Sequence, residues 1–202
     1  MRARIYNYFS MFKTSERILA GLCFFFFSAT TSAQTKEIHV ADYLPDVRLS
    51  HVFNYKHDTL RLSDFRGKAV ILDFGRINCH GCLLALPKFD TLQELFRKDF
   101  QAIWVTDNSD SQIKQFLATD SIGKQVKIPI IAEDTVLDST FLHMGIPYEV
   151  WVDQYGNVLS ITTQRFVNYE SLDFFIHYYM QPPKKKSDFY RTRTGYSTAT
   201  VR

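Results

Sequence analysis

At 202 residues, with 46% hydrophobic and 15% aromatic side chains, the chain holds enough apolar material for one full-sized core and too little length for two. Its formal charge of +3 resides in the tails. Arg2, Arg4, Lys13 and Arg17 oppose only Glu16 in the first 33 residues, and Lys184, Lys185, Lys186, Arg191, Arg193 and Arg202 oppose only Asp188 at the end, so residues 34–183 are net negative and carry no nucleic-acid footprint.

The first 33 residues have the layout of an export signal: a basic start, an apolar stretch from Ile18 to about Ala29, and Thr31-Ser32-Ala33 as a small-residue cleavage site before Gln34. The apolar stretch is well short of the roughly twenty residues that a membrane span needs. A cleaved signal is the preferred reading, with an uncleaved anchor as its alternative. Cys23 lies within that stretch among Leu22 and four phenylalanines and reads as apolar filler. Cleavage leaves Cys79 and Cys82, and two cysteines in an exported chain point to an oxidising compartment.

Residues 34–43 are polar and read as a loose lead-in to a domain spanning 44–180. Val47 and Leu49, with His51, alternate as a first strand; Asn54 to Asp58 form a turn; Leu60 and Leu62 flank Arg61 as the return strand of a β-hairpin. After the turn Ser63–Lys68, Ala69 to Phe74 is a continuous apolar run broken only by Asp73, as in a strand buried on both faces. Leu83, Leu86, Phe89, Leu92 and Phe96 recur at helical spacing, which predicts a helix from His80 to Arg97 that runs through Pro87 with a kink. Gln101–Val105 is a second buried strand, followed by a helix through Ile113, Phe116 and Leu117, a short strand at Ile128–Ile131 and a short helix at Thr135–Leu142. Tyr148–Val152 and Val158–Thr163 pair across the turn Asp153–Asn157, and Asn168 caps a last helix, Tyr169–Met180, which Gln181-Pro182-Pro183 stops. The order predicts an α/β fold: a mixed central sheet with helices on both faces. The tail 181–202 has too little apolar content to fold alone.

The chemistry concentrates in Ile71–Cys82, where an apolar run breaks into Cys-x-x-Cys at the head of a helix. A thiolate is the attacking species in disulfide exchange, and the free N–H groups and positive dipole end of a helix N-terminus stabilise one at Cys79. Cys82 lies one turn on, within reach of a mixed disulfide formed by Cys79. The same spacing also begins zinc sites and c-type haem sites; Leu83 in place of a histidine after Cys82 disfavours haem.

The chain resembles the thioredoxin superfamily, and within it the TlpA/ResA-like exported thiol-disulfide oxidoreductases, over Leu44 to Met180. Leu44-Pro45-Asp46, Leu62 to Lys68, Asp73-Phe74 followed by Cys79 and Cys82, and Gly145-Ile146-Pro147 before Trp151-Val152-Asp153 carry the resemblance. It implies a thioredoxin-like fold with an N-terminal β-hairpin extension, no cofactor, protein disulfide or thiol substrates, a membrane thiol donor, and periplasmic work in disulfide repair or cytochrome c maturation. By the same resemblance Pro147 is a cis-proline opposite the dithiol, Ile146 and Pro147 seat substrate, and Asp73 takes the proton from Cys82. Membrane contact would come through an uncleaved signal or the basic tail.

Departures cluster around the cysteines. Gly75 and Asn78 stand where the family has a tryptophan pair, which implies a less covered dithiol, and Gly81 replaces the proline before the second cysteine, which implies a looser turn. His80 beside Cys79, with Arg76 nearby, would favour the thiolate and make the couple more oxidising. Arg76 also stands where a thiol peroxidase would have threonine or serine. Two other readings of the same fold stay open: a redox-impaired relative kept for protein binding, and a module holding copper(I) or zinc through Cys79, Cys82 and His80 or His143.

Overall fold

The structure is a computed structural model describing residues 37–141 and 145–180. The expected export signal, the basic tail 181–202 and His143 lie outside the described residues. Among the described residues eight strands and three α-helices follow one another: β1 Arg48–Leu49, β2 Val52–Phe53, β3 Leu60–Arg61, β4 Ala69–Phe74, α1 His80–Leu95, β5 Phe100–Val105, α2 Asp110–Thr119, β6 Ile130–Ile131, β7 Tyr148–Val152, β8 Val158–Thr162 and α3 Tyr169–Phe174. Six strands make one mixed sheet in the order β2-β6-β5-β4-β7-β8. β4, β5 and β6 are parallel; β2, β7 and β8 run antiparallel to their neighbours.

β4 and β5 are buried along their whole length, which explains why both read as unbroken apolar runs. The crossovers β4–α1–β5 and β5–α2–β6 step the same way across the sheet, so their common handedness puts both helices on one face. The third helix joins them there. Leu86, Phe89, Ile113, Phe116, Leu172 and Ile176 form a single cluster with Ala69, Ile71, Trp104 and Trp151. Alternate residues of the same strands, Val70, Leu72, Phe74 and Val150, point the other way, toward Leu44, Leu49, Leu60, Leu62, Phe65, Leu137 and Phe141. The second face is thus covered by the N-terminal extension and two 3-10 turns, Leu62–Phe65 and Asp138–Thr140, in place of α-helices.

The N-terminal hairpin forms as the pairs Arg48↔Arg61 and Leu49↔Leu60. Its connection does more than turn, because Val52–Phe53 reaches the main sheet and pairs with Ile130–Ile131. His51 adopts φ +58° at the junction and is exposed, which ends the alternation expected to run through it. The lead-in is tied down from Ile38 onward: Ile38 is buried and its N–H donates to Thr140 O, while Ala41 N–H and Val158 N–H bond across to Val158 O and Asp42 O. Of the helix expected at Thr135–Leu142, the described residues form the turn Asp138–Thr140. Asp134 accepts hydrogen bonds from the N–H groups of Val136, Leu137 and Asp138, fixing a tight loop there. The last helix changes to a π turn over Phe175–Tyr179, and α1 continues through Pro87.

Candidate active site

Cys79 is the N-cap of α1, half-buried, and disulfide-bonded to Cys82 with the two Cα atoms 5.2 Å apart. The first turn holds the sulfur in place: Cys82 N–H points at Cys79 Sγ, 3.2 Å away, and Leu83 N–H donates to Cys79 O. An N-cap atom meets the unpaired N–H groups of a helix start, so a thiolate released at Cys79 inherits that stabilisation. Cys82 is fully buried. The pair therefore has one sulfur that a substrate can approach and one that it cannot.

The loop leading to Cys79 is stitched to the loop after β5. Gly75 N–H donates to Val105 O, Ile77 N–H to Asn108 Oδ1, and Cys79 N–H to Arg76 O. Arg76 forks onto the Asp107 carboxylate through Nε at 2.8 Å and a terminal nitrogen at 2.7 Å. Its charge is thus spent on a neighbouring acid at the surface. His80, at the first position of α1, is exposed.

Ile146–Pro147 is a cis peptide bond. The register that sets Phe74 opposite Tyr148, with rings stacked at 4.4 Å, carries Gly75 and Pro147 to neighbouring positions just beyond the strands. A cavity of about 120 Å³ opens there, lined by Phe74, Gly75, Arg76, Gly145 and Ile146. The loop that carries the dithiol and the cis-proline loop thus leave the sheet at the same end; of the residues expected to seat a substrate Ile146 lines the cavity, and neither cysteine does.

Beneath the dithiol the structure departs from the sequence reading. Gly75 does not leave the site uncovered, because the space a side chain would take is filled from β5. A methyl group on Gly75 would lie 2.8 Å from Cys82 Cβ, 3.1 Å from Cys82 Sγ and 2.8 Å from Trp104 Nε1. Trp104, fully buried, thus supplies an indole beside Cys82. Gly81 is different: the nearest group to a methyl there is Gln164 Nε2 at 3.6 Å.

Trp104 pairs in register with Asp73, and Asp73 with Glu149, so three strands present a row of polar side chains on the face beneath α1. All three are fully buried. Burial lifts the Asp73 carboxyl to about 8, against a lowering influence from the Lys88 ammonium. Burial, then the Asp73 charge, lifts Glu149 to about 8, again opposed by Lys88. Lys88, on α1, is half-buried and lowered by that burial, while both acids favour its charged form; its Nζ donates to Gln164 O at 2.6 Å. The signal that singled out Asp73, a carboxylate inside an apolar strand, is equally present in Tyr148-Glu149-Val150-Trp151-Val152, and there it was missed.

Neither cysteine takes part in the group with metal-ligand spacing found among the described residues, His51, Asp110 and Glu133, whose ligand atoms lie within 4.8 Å of one another on the surface.

Residues 40–160 match the model of the AhpC/TSA family. The thiol-disulfide oxidoreductase ResA of Geobacillus kaustophilus is 27% identical over 127 residues, which are 62% of this chain and 70% of that protein. ResA of Geobacillus thermodenitrificans is 26% identical over 126 residues, with the same coverage. A solved protein of Chlorobium tepidum, described as a thiol:disulfide interchange protein DsbE, superposes with a TM-score of 0.51 at 25% identity, covering 63% of this chain and 86% of its own. The thioredoxin domain of a thiol-disulfide oxidoreductase of Bacteroides vulgatus superposes with a TM-score of 0.55 at 18% identity, covering 72% and 100%, and speaks for the fold alone. With more than half of its length on the family model and a thioredoxin-like architecture around a Cys-x-x-Cys helix start, the chain belongs to the AhpC/TSA family.

Proposed function

We propose that this thioredoxin-like thiol-disulfide oxidoreductase exchanges disulfides with exported proteins in the periplasm, as a reductant fed by a membrane thiol donor. The observation that carries the mechanism is the asymmetry of the pair: Cys79 half-buried at a helix N-cap with an N–H aimed at its sulfur, Cys82 fully buried behind it. In the reduced protein the Cys79 thiolate attacks one sulfur of a substrate disulfide, forming a mixed disulfide and releasing the other substrate sulfur as a thiolate. Cys82 then loses its proton to the Asp73 carboxylate and attacks Cys79 Sγ. The Cys79–Cys82 disulfide forms, and the second substrate sulfur departs. The substrate backbone lies in the cavity beside Ile146 and Pro147, where edge-like pairing holds a peptide without reading its sequence. His80 acts on the exposed side of Cys79 as a tuning charge.

The compartment is supported by the export-signal pattern in residues 1–33 and by the lack of other cysteines after it. Among the described residues no helix is long and apolar enough to cross a membrane. The test is reduction of insulin by the dithiothreitol-reduced protein. Cys79→Ser abolishes it, and Cys82→Ser accumulates protein–substrate mixed disulfides; full activity of Cys79→Ser would sink the mechanism.

A further inference from the structure

Glu149 is buried as completely as Asp73, yet the mechanism above gives it nothing to do. Among the described residues, five buried side-chain nitrogen and oxygen atoms have no hydrogen-bond partner: both oxygens of Asp73, both oxygens of Glu149 and the indole nitrogen of Trp104. All five belong to the single row that β5, β4 and β7 place beneath the first turns of α1. An unpaired buried carboxylate is costly, and elsewhere the fold satisfies its acids, as Asp134 and Asp90 show by accepting backbone N–H groups.

Directly opposed residues of an antiparallel pair hold their Cβ atoms roughly 4.5–5.5 Å apart, a gap that two carboxyl groups or one intervening water close. Two acids at that spacing in an apolar layer do not both ionise, because each charge disfavours the other. One proton shared between them, with Lys88 charged at the edge, makes the group neutral overall. The titratable groups acting on Glu149 are Asp73 from β4 and Lys88 from α1. Thr162 of β8 stands opposite it without ionising.

We propose that Glu149 is a second proton-carrying residue of this dithiol, holding one proton jointly with Asp73 and passing the proton of Cys82 outward to the half-buried edge at Lys88. The proposal rests on the exchange mechanism above. During resolution the Cys82 proton moves to the singly ionised pair, which then holds two. The Cys82 sulfur forms its bond to Cys79 as the substrate sulfur leaves with the electron pair of the broken bond. The doubly protonated pair releases one proton from the Glu149 side, beside Lys88, and returns to its starting state.

The test uses the full chain in two redox states. In the oxidised protein the cysteines do not titrate, so infrared or carbon-13 NMR titration of the carboxyl groups reads the pair directly. Two coupled steps, both displaced upward, are expected, and Glu149→Gln or Asp73→Asn each collapses them to one. In the reduced protein, release of the second thiol from a Cys79–glutathione mixed disulfide is followed against pH by stopped flow. Glu149→Gln slows it about tenfold and changes the shape of its pH profile, Glu149→Asp restores much of the rate, and the double variant is no slower than Asp73→Asn. Independent titration of the two acids, or a loss in Glu149→Gln that is uniform across pH, overturns the pair. Those outcomes in a protein that still reduces insulin and still traps mixed disulfides as Cys82→Ser leave the exchange mechanism standing; loss of both removes it as well.

Discussion

The two sides of the dithiol obey different electrostatics. On the exposed rim stand Arg76, Asn78, His80 and the half-buried Cys79, where water and salt screen every charge and Arg76 already faces Asp107. On the floor stand Cys82, Trp104, Asp73 and Glu149, all without access to solvent. A charge on the floor acts in a medium of low effective dielectric, so the same unit of charge weighs several-fold more there than on the rim. The cross-strand neighbours of Asp73 therefore weigh more on the dithiol than His80 does, since His80 acts on Cys79 from the screened rim.

The largest expected effect belongs to the floor. The Asp73–Glu149 pair, raised by folding, keeps one proton that the unfolded chain gives up, so its contribution to stability is fully present below the ordinary carboxyl range and is lost as pH rises toward the raised values near 8. Thermal melts of the oxidised protein should show stability falling between about pH 5 and about pH 8 by on the order of a few kcal/mol. Asp73→Asn should make that slope shallower and leave the variant more stable than the parent at the alkaline end. A parent whose stability climbs over the same interval would mean that both acids of the floor are ionised and the contrast with the rim is wrong.

Packing gives the next test. Gly75→Ala drives a methyl into Cys82 Cβ and Trp104 Nε1, each 2.8 Å away, in a region where both neighbours are held by strands or a helix turn. Overpacking of this kind costs roughly 1–3 kcal/mol, and it should also slow formation of the Cys79–Cys82 disulfide. Gly81→Ala, on the rim, meets nothing closer than 3.6 Å and replaces a helical glycine, so denaturant melts should show a gain of up to about 1 kcal/mol. Equal losses at both positions would remove the distinction between floor and rim.

Much of this arrangement was legible in the residues. Ala69–Phe74, the helix start at Cys79 and the Tyr148–Val152 hairpin carry their own local signals, and each element formed where its pattern fell. Asp73 stood out because a carboxylate in an apolar run has no local excuse. Three features were not legible, each for a physical reason. That Trp104 fills the place left by Gly75 depends on the parallel register of β4 and β5, which no local pattern encodes. That the three α-helices share one face depends on the order in which the strands were laid down, with β6 placed beyond β5. Val52–Phe53 is too short a run to announce itself as a strand and pairs only because β6 offers an edge.

Arg76 supplies the smallest expected effect and the sharpest check on the rim. Its guanidinium is about half-exposed and bound to a similarly exposed carboxylate, a geometry with good hydrogen bonds and little burial. Exposed pairs of this kind contribute about 0–1 kcal/mol, and less as salt is added. Arg76→Ala should therefore lower stability by no more than that, with the difference fading at high ionic strength. The glutathione equilibrium of the Cys79–Cys82 pair should shift less than threefold, because losing Arg76 also frees Asp107 and the two changes oppose one another at Cys79. A large shift in that equilibrium that persists in high salt would show the Arg76 charge reaching the sulfur through protein, and the rim would then have to be counted with the floor.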